Sequence, residues 1–194
     1  IGNFDEQTIR PLVCQYIASL PGKEKAVASP EARTYFTGKT SIDFKRKMET
    51  PKPYIAKFLG GDIDYTLKND IMASYAGEVL SQILLKAVRE DAGATYSIGA
   101  YCGLQPRQEG KARLQVQIQS PISKPELVDT ALQITNKCIK DAAEKVDPEM
   151  VAKVKANFLK DADVNAKKNN HWENIIFEYK TRGIDTYTEY KKIV

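Results

Sequence analysis

The chain has 194 residues, 42% of them hydrophobic and 28% charged, with nine prolines; that length supports one sizeable core in one or two domains, and that composition excludes general disorder. Its net charge of +4 comes from 29 basic residues set against 25 acidic ones, and no Lys/Arg block is interleaved with aromatics. Nucleic acid is therefore excluded as the partner, because phosphate neutralisation needs a concentrated basic face.

Ile1-Gly2-Asn3-Phe4-Asp5 reads as the end of a strand turning into a helix, and the chain stops inside a helical pattern at Ile193-Val194. The expectation is a single α+β domain over residues 1–194, cut at both ends from a larger protein. Residues 5–19 predict a helix with Ile9, Leu12, Val13, Tyr16 and Ile17 on one side, Pro11 as a local irregularity and Pro21-Gly22 as its stop. Residues 22–40 read as a polar connection. Two period-two runs, residues 42–48 and 54–59, predict neighbouring strands joined at Thr50-Pro51.

The strongest helical pattern covers residues 68–91. Its apolar positions, from Ile71 and Met72 through Val79, Leu80, Ile83 and Leu84 to Ala87 and Val88, form a stripe wide enough for a broadly buried face, and Gly93 supplies the stop. Strands follow at 94–102 and 113–119, the second with Leu114, Val116 and Ile118 alternating against Arg113, Gln115, Gln117 and Gln119. One face of that strand packs and the other meets water. Ser123-Lys124-Pro125-Glu126 predicts a capping box opening a helix to about residue 144, Asp147-Pro148 opens another to about residue 168, and the tail is helical but broken at Gly183. With a strand placed before Ile1, the order predicts an α+β fold: a largely antiparallel sheet with helices packed on one face. No apolar run reaches bilayer length, so no membrane span is expected, and the first residues carry no signal-peptide pattern.

Few residues offer chemistry. Cys14, Cys102 and Cys138 are scattered and lack a C-x-x-C pair, and they read as small buried hydrophobes. Gly60-Gly61 lacks the spacing and the Lys-Ser/Thr of a phosphate loop. The only histidine, His171, lies in a polar stretch, and one histidine cannot provide the i and i+4 ligands of a catalytic zinc site. Arg89, taken alone, is a base in the last turn of a helix, where the macrodipole favours it; Tyr96 alone is a strand aromatic. Together they are more specific. A helix that ends at Asp91 and turns at Gly93 into a strand puts both near one sheet edge, where a guanidinium fork and a phenol suit a peptide carbonyl.

The run Arg89-Glu90-Asp91-Ala92-Gly93-Ala94-Thr95-Tyr96 resembles the Arg-Glu-x-x-Gly-x-x-Tyr signature of the pitrilysin/insulinase family of zinc peptidases, and Gly2-Asn3-Phe4-Asp5 resembles that family's turn from strand to first helix. In the family this signature belongs to the half that does not bind metal, while the homologous half carries an inverted zinc motif. The resemblance implies a mitochondrial-processing-peptidase-like fold and a non-catalytic, substrate-binding domain. Arg89 and Tyr96 would contact the peptide, and no catalytic or metal-binding residue would lie in this chain. Zinc would sit in a homologous partner domain or subunit. A non-enzymatic assembly homologue of the same fold is the alternative.

Overall fold

The computed structural model describes residues 3–22, 37–107 and 110–194. Helix α1, Glu6–Val13, starts where the Asp5 carboxylate accepts from the Gln7 and Thr8 amides at 3.3 and 3.0 Å, and it continues as π-helical turns over Cys14–Ala18. Pro11 has no amide proton for the helical ladder, and the irregular turns begin three residues beyond it. All of this helix is exposed, Cys14 included, so the expected burial of that thiol is not found. The expected connection over residues 22–40 lies mostly outside the described residues.

The strand expected at 42–48 does not form. Ile42 and Phe44 are 85% and 82% exposed, and the segment enters no sheet. Alternation makes a strand only where a neighbour completes its hydrogen bonds, and Pro51 and Pro53 withdraw two donors from the hairpin it would need. The first strand is β1, Tyr54–Asp64; β2, Gly99–Pro106, and β3, Lys111–Pro121, follow, and the antiparallel sheet runs in the order β1-β3-β2. Ile55 pairs with Ser120, Lys57 with Ile118 and Leu59 with Val116, while Ala100 pairs with Ile118 and Cys102 with Val116. These residues share one face, because directly opposed side chains point the same way.

Two helices cover that face. Thr66 caps α2, Leu67–Leu84, by accepting the Asn69 amide at 3.0 Å, and the helix runs on as π-helical turns over Leu85–Asp91. Helix α3, Val128–Glu144, packs beside it and against β1. Leu80, Leu84, Val88, Ile55, Ile98, Ile118 and Ile122 form the centre of the core, with Leu84, Val88 and Ile118 fully buried. By length and composition the helix Leu67–Asp91 could cross a membrane. Here its apolar stripe is instead the packing surface for β2, α3 and α4. Helix α2 lies so close to β2 that a Cβ on Gly77 would meet the Cys102 amide nitrogen at 2.9 Å. The Ser81 hydroxyl seals the same contact, accepting from the Ala100 amide at 2.8 Å.

The predicted capping box at Ser123 is replaced by a 3-10 turn, Pro125–Leu127, with Lys124 in the cap position and no side-chain cap bond. Asp147 caps α4, Pro148–Asn165, through the Glu149 amide. Helix α5, Asn169–Arg182, ends at Gly183 in the left-handed conformation, and α6, Thr186–Ile193, completes the described chain. Among the described residues no helix of the core covers the opposite face of the sheet: Tyr54, Phe58 and Tyr101 are 57%, 63% and 61% exposed there, and Gln115, Gln117 and Gln119 lie between them.

Candidate functional site

The site is built at the exit of α2. Leu84 and Val88 anchor the helix end in the core, which leaves Arg89 and Glu90 facing solvent. Gly93 then reverses the chain at φ 60°, a conformation that costs a residue with a Cβ roughly 1 kcal/mol or more. Its amide donates to the Arg89 carbonyl at 3.1 Å and the next amide, Ala94, donates to the Val88 carbonyl at 3.0 Å. The strand expected from 94 begins only at Gly99, because residues 94–98 bond to the far end of β3 through side chains and isolated amides rather than through a ladder. Tyr96 therefore lies in a loop, 86% exposed, between buried Thr95 and exposed Ser97.

Among the described residues, the side chains of Arg89 and Tyr96 make no hydrogen bond, ion pair or ring contact, to each other or to anything else. They stand on either side of one turn, at the head of an edge strand, as a planar five-donor cation and a phenol. Such groups can bind a carbonyl or carboxylate oxygen; neither alone activates water or attacks a peptide.

Thr95 and Ser120, which sequence reading passes over, hold this loop. The Thr95 hydroxyl lies 2.5 Å from the Pro121 carbonyl oxygen, to which it donates, and accepts from the Ser120 hydroxyl at 2.9 Å and the Ser97 amide at 3.2 Å. Ser120 is fully buried. One signal for it exists in the sequence: it occupies the packing parity of β3, in phase with Leu114, Val116 and Ile118, where a hydroxyl needs a partner.

Several charges elsewhere are paired. On the open sheet face Asp62 meets Arg113 at 3.1 Å and Arg107 at 3.3 Å, Lys111 meets Asp64 at 2.6 Å, and Tyr54 donates to Gln119 at 2.8 Å. A second cluster ties α5 to the start of α2. Arg182 bonds Glu178 and, at 3.1 Å, the Tyr65 hydroxyl, with its guanidinium 5.1 Å from the Tyr65 ring centre. Burial, reinforced by Glu178, raises the Asp70 carboxyl above its ordinary 3.8, against the pull of Arg182 and a backbone bond from Leu104. Burial likewise raises Tyr65 and the Cys102 and Cys138 thiols.

Zinc does not fit the residues described. No three His, Cys, Asp or Glu side chains among them gather as a ligand set, and His171 packs edge-on to Trp172 with ring centres 5.5 Å apart. Trp172 in turn donates to the Ala166 carbonyl at 2.9 Å and contacts Tyr187, so this corner joins helices.

Solved structures with the same fold include two proteases. The periplasmic protease PqqL from Escherichia coli matches with a TM-score of 0.70 and 20% identity, over 99% of this chain and 21% of that one. The ferredoxin protease FusC, a mutant in complex with Arabidopsis ferredoxin, matches with a TM-score of 0.63 and 16% identity, over 96% of this chain and 20% of that one. The chain thus spans about a fifth of the length of each. A comparison with curated protein sequences gives no match. Residues 1–158 match the family model described as the Peptidase M16 inactive domain, which bears out the resemblance read from the 89–96 run. The chain belongs to that family of inactive M16 peptidase domains.

Proposed function

We propose that this domain is the substrate-binding, non-catalytic half of a zinc-dependent peptidase, in which Arg89 and Tyr96 contact the peptide and a homologous partner domain or subunit holds the metal. The observation that carries the reading is the pair itself. Arg89 and Tyr96 flank the turn at the exit of α2, exposed and without partners among the described residues, in a chain of the inactive-domain family. Elsewhere the arginines of the sheet face are paired with carboxylates, so two unpaired donors flanking one rigid turn are available to a ligand. A guanidinium bonds carbonyl oxygens with charge assistance, and a phenol adds a neutral donor, so both can orient a scissile peptide and follow charge as it develops on its oxygen. Metal-activated water is what zinc in the partner half supplies.

Steady-state kinetics on the whole enzyme test this, with zinc content measured alongside. Arg89→Ala and Tyr96→Phe should each lower kcat/KM by roughly tenfold to a thousandfold, with zinc content unchanged. The chain on its own should hold no stoichiometric zinc and cleave nothing. About one tightly bound zinc per chain with chelator-sensitive hydrolysis would overturn the assignment; a whole protein without peptidase activity would point to the assembly homologue.

A further inference from the structure

We propose that Thr95 and Ser120 are positioning residues that set the place of the Tyr96 phenol, an inference that rests on the reading of Tyr96 as a substrate contact. Tyr96 has no partner of its own among the described residues and is 86% exposed. Its position is therefore decided by the backbone on either side. Thr95, 4% exposed, is bound to β3 through the Pro121 carbonyl at 2.5 Å and the Ser120 hydroxyl at 2.9 Å. Ser97 is held through Thr95: its amide donates to the Thr95 hydroxyl at 3.2 Å, while the one proton of the Ser120 hydroxyl goes to Thr95.

Residue 96 is thus clamped at both neighbours by two buried hydroxyls, and the clamp extends outward in both directions. The Ala94 carbonyl accepts the Ser123 amide at 2.8 Å, and Ile98 enters the core. The arrangement resists movement of the loop along β3 and away from it, while leaving the ring of Tyr96 in solvent. Sequence-local packing would not need this. A loop whose only task was to join α2 to β2 would be served by the apolar anchors Ala94 and Ile98, and a buried pair of hydroxyls adds a directional constraint on the residue between them. Misplacing a contact group by about 1 Å can cost on the order of a hundredfold in rate.

The test is a double-mutant cycle in the whole enzyme, read with a quenched fluorogenic peptide that it cleaves. Thr95→Val keeps the shape and removes the hydroxyl; kcat/KM should fall roughly tenfold to a hundredfold, and Thr95→Ser should restore most of it. In a Tyr96→Ala background the same Thr95→Val change should cost nothing further. Amide exchange at Ser97 should quicken in Thr95→Val while exchange in the middle of β3 stays slow. If Thr95→Val does not fold, Ser120→Ala replaces it, since Thr95 then keeps its bond to Pro121. An equal loss in both backgrounds would make the pair merely structural and overturn the proposal. So would full activity in Thr95→Val where Tyr96→Ala alone is impaired. Wild-type kinetics in Tyr96→Ala alone would overturn the reading of Tyr96, and this inference with it.

Discussion

Replacing Gly77 with alanine sets two opposed effects against each other. Alanine is favoured over glycine inside a helix by about 1 kcal/mol, so at an open site of α2 the change would stabilise. Gly77 is not open. An added Cβ would meet the Cys102 amide nitrogen at 2.9 Å, the Cys102 Cβ at 3.3 Å and the Ala100 carbonyl oxygen at 3.4 Å. Two of those atoms are strand backbone, held by pairing with β3 and by the Ser81 hydroxyl, so α2 must lift from β2. Overpacking of this kind costs about 1–3 kcal/mol, and subtracting the helix preference leaves a net loss of up to about 2 kcal/mol. At about 2–4 °C per kcal/mol for a domain of this size, Tm should fall by up to about 8 °C. Ser74→Ala, on the exposed side of the same helix, should leave Tm within a degree or two. Thermal melts followed by circular dichroism read the stability, and amide exchange at Ala100 reads the lift directly, since its proton bonds Ser81 at 2.8 Å. Because the π-helical end of this helix carries Arg89 and β2 follows Tyr96, the proposed function predicts that the same variant lowers peptidase activity beyond what its Tm explains. A rise in Tm with unchanged exchange at Ala100 would refute the close approach.

Asp70→Asn should raise Tm near pH 7. The folded state raises this carboxyl above its ordinary 3.8 by burial and the nearby Glu178, so the charged form is disfavoured on folding; the penalty is absent below 3.8, grows as pH rises toward the folded-state value, and is complete above it. The advantage of the variant should therefore close as melts are taken down through that range, and an advantage independent of pH would refute the charge argument. Thr135→Val should stabilise by about 1 kcal/mol, since Thr135 is fully buried and its hydroxyl has no partner among the described residues; denaturant midpoints check this, and a loss of stability would mean that the hydroxyl is bonded after all.

Much of the fold is legible in local pattern. The helix over Leu67–Asp91 follows from an apolar stripe that matches the helical repeat over its whole length and from a glycine where the chain must reverse. Strand β3 follows from unbroken alternation, and Asp147-Pro148 and Gly183 mark helix ends by their cap chemistry. Failures occur where a distant partner or a competing local turn decides. Residues 42–48 alternate like a strand but have no strand neighbour among the described residues, and Ser123 loses its capping role to the Pro125 turn. Arg89 and Tyr96 are visible because their spacing is a motif. The clamp between them and β3 is not visible, because Thr95 and Ser120 are 25 residues apart and only register brings them to 2.9 Å.

The proposed function requires that Arg89 and Tyr96 serve one substrate site, and a double-mutant cycle on kcat/KM in the whole protein measures that directly. Arg89→Ala and Tyr96→Phe should each cost roughly tenfold to a thousandfold, and the double variant should lose less than the product of the two, as expected for groups acting on one ligand. Tyr96→Phe keeps the exposed ring, so its Tm should move by less than the equivalent of about 1 kcal/mol. Activity losses that multiply fully, or that track falling Tm, or kinetics indistinguishable from wild type, would contradict the shared site.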